Sequence, residues 1–289
     1  MSIPPKKVNL IISLVIFQIT ACFLNLQASE FDHKKNASKG NYVIGTWIYG
    51  DWTNLNKWPP QNINEYDYIM MGMCSNLGDF TNSNNFGPKS PKPHYLNHFK
   101  GKKLWTYGGT NASGPNPPYP KKLQSRSFYS NTSSWDGLDI RDVFDANRSA
   151  LVAIFTTVKN SGKSTSYTFK AGTDYCNEGP TDQISKKIRA INYYCDRFIL
   201  ICHGEGMWNK STYDNIIPAA IDKTIGLVGN SRKLILACTS DGLTKQNLKD
   251  FINYVTYNNL GGLFIWQTEK TNFTLSSAQM DQIKKGLRL

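Results

Sequence analysis

Residues 197–238 read RFILICHGEGMWNKSTYDNIIPAAIDKTIGLVGNSRKLILAC, and this stretch decides the fold class. It contains two apolar runs of strand length, Arg197–Cys202 and Lys233–Cys238, which do not alternate between apolar and polar residues. Between them, Tyr213–Val228 spaces its apolar residues at three and four, the pattern of an amphipathic helix. Continuously apolar strands belong to sheets buried on both faces, and a helix between two of them favours parallel pairing through a right-handed crossover. The stretch therefore predicts a β-α-β unit.

Six further runs of strand length bring the total to eight. They are Tyr42–Trp47, Tyr66–Cys74, Lys103–Tyr107, Trp135–Ile140, Ser166–Ala171 and Gly262–Trp266. The helical pattern recurs at Asp145–Lys159 and Thr244–Asn258, whereas residues 76–101 and 109–134 are rich in Asn, Ser, Gly and Pro and predict long loops. Eight such runs predict an α/β fold, a closed (β/α)8 barrel of the TIM type. The short connection between the sixth and seventh runs leaves no room for a large inserted α+β domain.

The composition excludes several classes of protein. The chain has 289 residues, of which 40% are hydrophobic and 19% charged, so it can form a core and is neither globally disordered nor a multi-span membrane protein. Its net charge of +12 favours anionic partners, but it lacks the Lys/Arg runs and modules of nucleic-acid binders. No spacing of Cys or His indicates a metal site, and no cofactor is expected.

The first residues have the pattern of a secretory leader. Lys6 and Lys7 precede an almost uninterrupted apolar stretch at residues 10–24, and small and polar residues follow near Ala28. This order predicts a signal peptide over residues 1–28. The apolar stretch is short for a membrane-spanning helix of ~20 residues. An uncleaved anchor is therefore the less favoured alternative, and no stable membrane span is expected.

Cleavage there leaves a flexible N-terminal segment at residues 29–40 and a barrel domain at residues 41–289, exported from the cell. A further alternative is a lipid anchor on Cys22, because residues 19–22, ITAC, are similar to a bacterial lipoprotein box. Sequons for N-glycosylation are slightly more frequent than random placement predicts, which fits a glycoprotein without identifying the type of host. They lie at Asn36, Asn111, Asn131, Asn147, Asn209 and Asn272.

Removal of the leader leaves an odd number of cysteines. Cys74, Cys202 and Cys238 lie in apolar runs, the usual place of a buried free thiol. Cys176 and Cys195 lie at the two ends of a polar connection, and export permits disulfides. If the barrel contains one disulfide, the sequence favours Cys176 with Cys195.

Motifs at the predicted strand ends resemble those of glycoside hydrolase family 18, the chitinases and their non-catalytic relatives. Leu104–Gly109 reads LWTYGG and is similar to that family's Ser-x-Gly-Gly element. Trp135–Ile140 reads WDGLDI and resembles the opening of its Asp-Gly-x-Asp-x-Asp-x-Glu signature. Gly261–Trp266 reads GGLFIW and looks like the family's last strand, whose terminal Trp forms the floor of a sugar subsite. The resemblance covers about residues 41–285 in order.

Departures from the signature decide what the resemblance implies for catalysis. Alternate residues of a strand point the same way, so Asp139, Arg141 and Val143 are expected to face the barrel mouth together. In the family the last two positions are Asp and Glu. The Glu protonates the glycosidic oxygen while the substrate's acetamido group attacks the anomeric carbon. Val143 has no proton to give, and Arg141 would place a positive charge beside the cationic intermediate that the family's Asp stabilises.

The resemblance therefore implies no catalytic residues in the degenerate motif, which consists of Asp136, Asp139, Arg141 and Val143. An active glycoside hydrolase that uses relocated acids is an alternative. Asp142 would turn inward if a β-bulge shifted the strand register. Glu205, with His203 beside it after the sixth run, is a second fallback acid/base pair.

Aromatic residues at the predicted strand ends favour a sugar site, because the apolar faces of sugar rings stack on such side chains. The aromatic candidates are Trp47, Tyr49, Tyr107, Trp208 and Trp266. The polar candidates are Asp139, Arg141 and Glu205. For Trp47 and Trp105, packing against the surrounding helices is the alternative.

The sequence thus predicts a secreted, non-catalytic chitinase-like barrel that binds N-acetylglucosamine-containing or acidic glycans. Arg141 is expected to pair with Asp139 or Glu205, or to meet a carboxylate or sulfate of the ligand, since an unpaired buried charge is costly. The remaining alternative is a protein-binding or inhibitory barrel whose partner is a secreted protein. The sequence indicates no oligomeric state.

Overall fold

Eight parallel strands close into one barrel in the part of the chain that the structure describes. This computed structural model describes residues 41–49, 63–74, 98–108, 121–130, 135–141, 148–172, 175–176, 182–203, 210–240, 243–268 and 275–288. The strands are β1 (Val43–Tyr49), β2 (Tyr68–Cys74), β3 (Lys102–Gly108), β4 (Gly137–Arg141), β5 (Ser164–Lys170), β6 (Arg197–Ile201), β7 (Leu234–Thr239) and β8 (Gly262–Thr268). Each strand pairs with its neighbours in sequence, and β8 pairs with β1. The predicted (β/α)8 barrel is confirmed, and no inserted α+β domain occurs among these residues.

Helices follow most of the strands and cover the outside of the barrel. They are α1 (Arg126–Ser130), α2 (Arg148–Asn160), α3 (Gln183–Ile191), α4 (Lys210–Val228), α5 (Lys245–Tyr257) and α6 (Ser277–Arg288), with short 3-10 turns at Ile63–Glu65, Lys121–Gln124 and Ser231–Lys233. The three helices predicted from periodicity correspond to α2, α4 and α5. Sequence reasoning did not identify α3 or α6, and α1 lies in a stretch predicted to be loop.

Spacing and capping explain why α2 and α5 form. In α2 the buried residues recur at three and four, and in α5 they do the same, so each helix presents one apolar stripe to the barrel. They are Leu151, Ile154, Phe155 and Val158 in α2, and Leu248, Phe251, Ile252 and Val255 in α5. The side chain of Thr244 caps α5 by accepting a hydrogen bond from the N–H of Asn247 at 3.2 Å.

Alternation along the strands divides the buried side chains into two layers. The outer layer lies between strands and helices and contains residues such as Trp105, Leu138 and Tyr167. The barrel interior holds a separate apolar cluster from the other face of the strands. It consists of Trp47, Tyr68, Met70, Leu104, Ile199, Ile201, Ile235, Ala237 and Phe264, with Val43 and Trp266 packed against it. The assignment of each residue to one layer decides which side chains can reach the mouth.

Aspartates hold the amino ends of alternate strands together. One aspartate stands immediately before β2, one before β4 and one before β6. Each carboxylate accepts a hydrogen bond from the N–H of the second residue of the preceding strand. The pairs are Asp67 with Ile44 at 2.8 Å, Asp136 with Lys103 at 2.8 Å, and Asp196 with Thr165 at 3.0 Å. Asp136, the first residue of the signature-like motif, is therefore structural and lies at the end of the barrel opposite the mouth.

The predicted disulfide between Cys176 and Cys195 is wrong, because both residues are free thiols. Cys176 follows the carboxyl end of β5, whereas Cys195 precedes the amino end of β6, so the two lie toward opposite ends of a parallel barrel. The Cys195 thiol donates to the carbonyl of Arg197 at 2.9 Å, and the Cys176 thiol donates to that of Ile216 at 3.5 Å. The two ends of a connection lie far apart when the connection leads from one end of the barrel to the other. As predicted, Cys202 and Cys238 are buried and free.

Residues 41–289 cluster as one unit, while residues 1–40, with the predicted leader and Cys22, lie outside the described residues. The sequons lie outside them as well. No described helix combines the length and apolarity needed to cross a bilayer. Within the described ranges, no group of three or more His, Cys, Asp or Glu side chains is arranged to hold a metal ion.

Candidate functional site

Four side chains meet at the carboxyl end of the barrel, and we call them the mouth cluster: Arg141, Lys170, His203 and Trp266. Arg141 and Lys170 are the last residues of β4 and β5, and His203 lies two residues past β6. Trp266 belongs to β8 and packs against the interior apolar cluster. All four retain part of their surface exposed. The cluster therefore joins three nitrogen-bearing side chains and an indole ring at the face where barrel enzymes build their sites.

Asp139 lies one inward step below Arg141 and is fully buried, with 0% of its surface exposed. Its carboxylate accepts hydrogen bonds from Ser166 at 2.7 Å and Thr168 at 2.7 Å through Oδ1, and from Thr106 at 3.0 Å through Oδ2. Burial raises its pKa to about 6, against the lowering effect of these hydroxyls and of Arg141. Asp139 thus anchors a polar half of the interior, formed by β3, β4 and β5.

The Arg141 guanidinium lies over the Trp266 ring, with its central carbon 5.5 Å from the ring centroid. Because β4 and β8 are opposite each other in an eight-stranded barrel, this cation–π contact spans the mouth. Burial lowers the Arg141 pKa, and the charge of Asp139 opposes that shift. Arg141 and Asp139 therefore interact electrostatically. The hydrogen bonds described for the Asp139 carboxylate, however, come from hydroxyl groups.

His203 is held neutral at the mouth. Its ring lies 6.3 Å from the Trp266 ring, at an interplanar angle of 31°. Burial, together with the positive charges of Arg141 and Lys170, lowers its pKa to about 3. At neutral pH the imidazole therefore has one N–H donor and one acceptor nitrogen, and it has no extra proton to transfer.

Trp47 lies beneath Trp266 inside the barrel. The two residues pair in register between β1 and β8, and their rings are 6.0 Å apart. Trp47 is 1% exposed and also meets Phe264 edge-on at 5.7 Å. It faces the interior and not the helices, so it supports Trp266 from below and is itself too buried to form a sugar platform.

Tyr107 was predicted to contact the ligand, and the structure shows this to be wrong. Its side chain belongs to the outer layer and is 0% exposed, because Leu104 and Thr106 take the inward positions of β3. Trp105 shares the outward face and packs on Trp135 at 4.2 Å. The packing alternative for Trp105 is therefore confirmed.

Several predicted site residues lie outside what the structure describes. They are Asp142, Val143, Glu205 and Trp208, together with the side chain of Tyr49. Their roles stay predictions. In the other direction, sequence reasoning missed Lys170 and the hydroxyls around Asp139. The signal that identifies them lies in residues 164–170, STSYTFK. Every second residue there is polar, so one face of the strand is polar: Ser164, Ser166, Thr168 and Lys170.

No protein-family model matches the chain, and no curated protein matches it significantly. Solved structures do match. A glycoside hydrolase family 18 N-acetylglucosaminidase from Paenibacillus barengoltzii aligns with a TM-score of 0.60 at 11% identity, over 86% of this chain and 100% of its own. A putative chitinase A from Streptomyces coelicolor gives 0.60 at 12%, over 86% and 99%. The catalytic domain of a hyperthermophilic chitinase from Pyrococcus furiosus gives 0.58 at 10%, over 87% and 99%.

At such low identities the likeness shows the fold alone. The chain has a barrel of the kind found in chitinase-type glycoside hydrolases, and this agrees with the fold implied by the sequence motifs.

Proposed function

We propose that the chain is a secreted, non-catalytic chitinase-like barrel that binds a glycan containing N-acetylglucosamine. The observation that carries this proposal is the Arg141 guanidinium over the ring of Trp266 at the mouth. It combines an aromatic platform with a positive charge at the position where the resembled family has a carboxylate. The likeness of the fold to chitinase-type barrels supports a carbohydrate as the ligand class.

Trp266 is suited to stack on a sugar ring. It is partly exposed, whereas the aromatic rings behind it, Trp47 and Phe264, are buried and keep it in place. A platform held by packing loses little side-chain entropy when a ligand binds. The apolar face of a pyranose ring matches such a surface.

The same geometry argues against hydrolysis. Glycoside hydrolysis develops positive charge on the sugar, and a guanidinium beside that sugar destabilises the transition state. His203 does not supply the missing acid, because its lowered pKa leaves the imidazole neutral at pH 7. The sequence places Val143 where the family's acid would stand. The relocated-acid alternative therefore depends on Glu205 or Asp142.

The test is calorimetric titration with the N-acetylglucosamine trimer, beside hydrolysis of a fluorogenic chitobioside. We expect binding without product release, and at least tenfold weaker binding in Trp266→Ala. Tyr257→Ala is the matched control, because Tyr257 is a 61% exposed aromatic at the end of α5 and its loss is expected to leave binding unchanged.

Turnover that disappears in Glu205→Gln would show that the chain is an enzyme with a relocated acid. Absence of binding to the trimer and to its sulfated form would contradict the proposal and favour the protein-binding alternative.

A further inference from the structure

At one side of the mouth, three side chains that can donate N–H bonds to an anion lie at successively higher positions on neighbouring strands. They are Arg141, Lys170 and His203. Arg141 pairs in register with Thr168, so Lys170 stands one inward position higher on β5. Lys170 pairs in register with Ile201, so His203 stands one inward position higher again past β6. This stagger follows from the tilt of strands in a closed barrel. It brings the three side chains to one side of the opening.

Arg141 and Lys170 are both close enough to His203 to act on it electrostatically. Both Arg141 and Lys170 lower the pKa of His203, in addition to the larger effect of burial. Asp139 lies below Arg141, and its carboxylate accepts hydrogen bonds from the hydroxyls of Thr106, Ser166 and Thr168. Arg141, Lys170 and His203 therefore bring two positive charges and an imidazole to this side of the mouth.

On β3 and β7, the described residues in register with Arg141 and Trp266 are small. In register with Arg141 on β3 is Gly108, which adds no side chain beside the guanidinium. In register with Trp266 on β7 is Thr239, a short hydroxyl side chain. The partly exposed Arg141, Lys170, His203 and Trp266 are thus the large described side chains of this part of the rim.

We propose that Arg141, Lys170 and His203 form an oxyanion subsite, and that the sugar stacked on Trp266 carries a sulfate or carboxylate group that this subsite holds. The proposal rests on the glycan-binding function above and names the class of glycan. A guanidinium offers two parallel N–H groups that fit two oxygens of such an anion. Lys170 adds a second positive charge, and the neutral imidazole of His203 adds one N–H donor. The net charge of +12 attracts such ligands over a longer range.

The test compares three probes by calorimetric titration of the full mature protein at pH 7: the neutral N-acetylglucosamine trimer, the same trimer with 6-O-sulfate groups, and inorganic sulfate. We expect the sulfated trimer to bind at least tenfold more tightly than the neutral one. Lys170→Gln is expected to remove most of this preference while the neutral trimer keeps its affinity. Arg141→Gln is expected to act in the same direction, and Trp266→Ala is expected to weaken both sugars.

Lys249→Gln is the matched control, because it removes one positive charge from an exposed position on α5, in the helical outer layer. It is expected to leave the preference intact. A melting curve for each variant shows that it is folded, and Lys170→Gln keeps the test decisive if Arg141→Gln does not fold.

Each contrary outcome has a distinct meaning. Equal affinity for the two trimers overturns the oxyanion subsite and leaves glycan binding in place. A preference that survives both Lys170→Gln and Arg141→Gln also overturns it, because the anion is then held elsewhere. If inorganic sulfate binds as tightly as the sulfated trimer, the sugar-linked form of the proposal is wrong. If neither trimer binds, the proposed function fails.

Discussion

Asp139 is fully buried and His203 half-buried in the same barrel, and burial shifts their pKa values in opposite directions because it disfavours the charged form of each. The Asp139 pKa is raised from 3.8 to about 6, and the His203 pKa is lowered from 6.5 to about 3. Between about pH 4 and 6 the folded protein therefore holds an extra proton on Asp139 and lacks one on His203. As pH rises through this window, Asp139 lowers the free energy of unfolding and His203 raises it. The two effects oppose each other in the wild type.

Replacement of Asp139 by Asn separates the two effects. The amide oxygen can accept the hydroxyls of Ser166 and Thr168, and the amide nitrogen can donate to Thr106, so the packing is preserved. We expect Asp139→Asn to gain stability relative to the wild type as pH rises from 4 to 7, by about 3 kcal/mol for a shift of two pKa units. Urea unfolding at pH 4, 5, 6 and 7 measures the difference.

His203→Gln is the matched case with the opposite sign. Its free energy of unfolding relative to the wild type is expected to fall as pH rises from about 3 to 6.5, because the wild type regains stability there as His203 loses its unfavourable charge. Stability differences that do not vary with pH for either variant would show that these groups do not titrate as described.

At the scale of a single element, the structure of β4 explains the amino acids found around Gly137. Asp136 holds the amino end of β3, Gly137 allows close approach to β5, and Asp139 and Arg141 face the interior. A Cβ atom on Gly137 would lie 2.1 Å from the carbonyl oxygen of Ser164, and backbone atoms cannot yield as a flexible side chain can. Close packing against β5 therefore requires glycine at position 137, independently of any chemistry at the mouth.

Gly137→Ala is expected to destabilise the barrel. Insertion of a methyl group into a tightly packed position costs about 1–3 kcal/mol. For a domain of this size that corresponds to a melting temperature lower by roughly 2–10 °C. The control is Gly226→Ala in α4, where an added Cβ meets nothing within 4 Å and a helical glycine is replaced by a better helix former.

Differential scanning calorimetry distinguishes the two variants. Gly226→Ala is expected to keep or raise the melting temperature. Equal melting temperatures for Gly137→Ala and the wild type would mean that the β4–β5 contact is looser than the structure shows.

At the scale of the whole molecule, two cation–π contacts between described residues cross the barrel from one strand to the opposite one. At the mouth Arg141 of β4 lies over Trp266 of β8, and near the amino ends Arg197 of β6 lies 4.3 Å from the ring centroid of Tyr68 of β2. Between them the interior is apolar on the β1, β6, β7 and β8 side and polar around Asp139. Each contact joins residues that are distant in sequence, so closure of the barrel is what creates them.

The two ends of the barrel also decide the chemistry of the thiols. When the protein is unfolded without prior reduction and then alkylated, peptide mapping is expected to find Cys176 and Cys195 modified separately. In the folded protein Cys195, Cys202 and Cys238 are expected to react only as the barrel opens, because they are fully buried and burial raises each thiol pKa. The half-buried Cys176 reacts first. A cross-linked peptide containing Cys176 and Cys195 would contradict this arrangement.

The barrel itself follows from the sequence alone. Continuous apolar runs such as Arg197–Cys202 and helical spacing such as Tyr213–Val228 are local properties, and local backbone preference together with chain connectivity leaves few ways to bury them. The same reasoning placed the ends of the fourth and eighth strands, which carry Arg141 and Trp266, at one mouth. Alternation along the fourth strand grouped Asp139 with Arg141 for the same reason.

Only the tertiary structure decided which face of each strand is inward and which groups meet across the barrel. A period of two says that Tyr107 and Trp105 share a face, but the position of that face depends on the register of the closed sheet, which sends both outward. The link between Lys170 and His203, and the separation of Cys176 from Cys195, likewise depend on strand tilt and on which end of the barrel a connection reaches. These are relations between residues far apart in the chain, and the free energy that sets them comes from packing in three dimensions and not from local sequence.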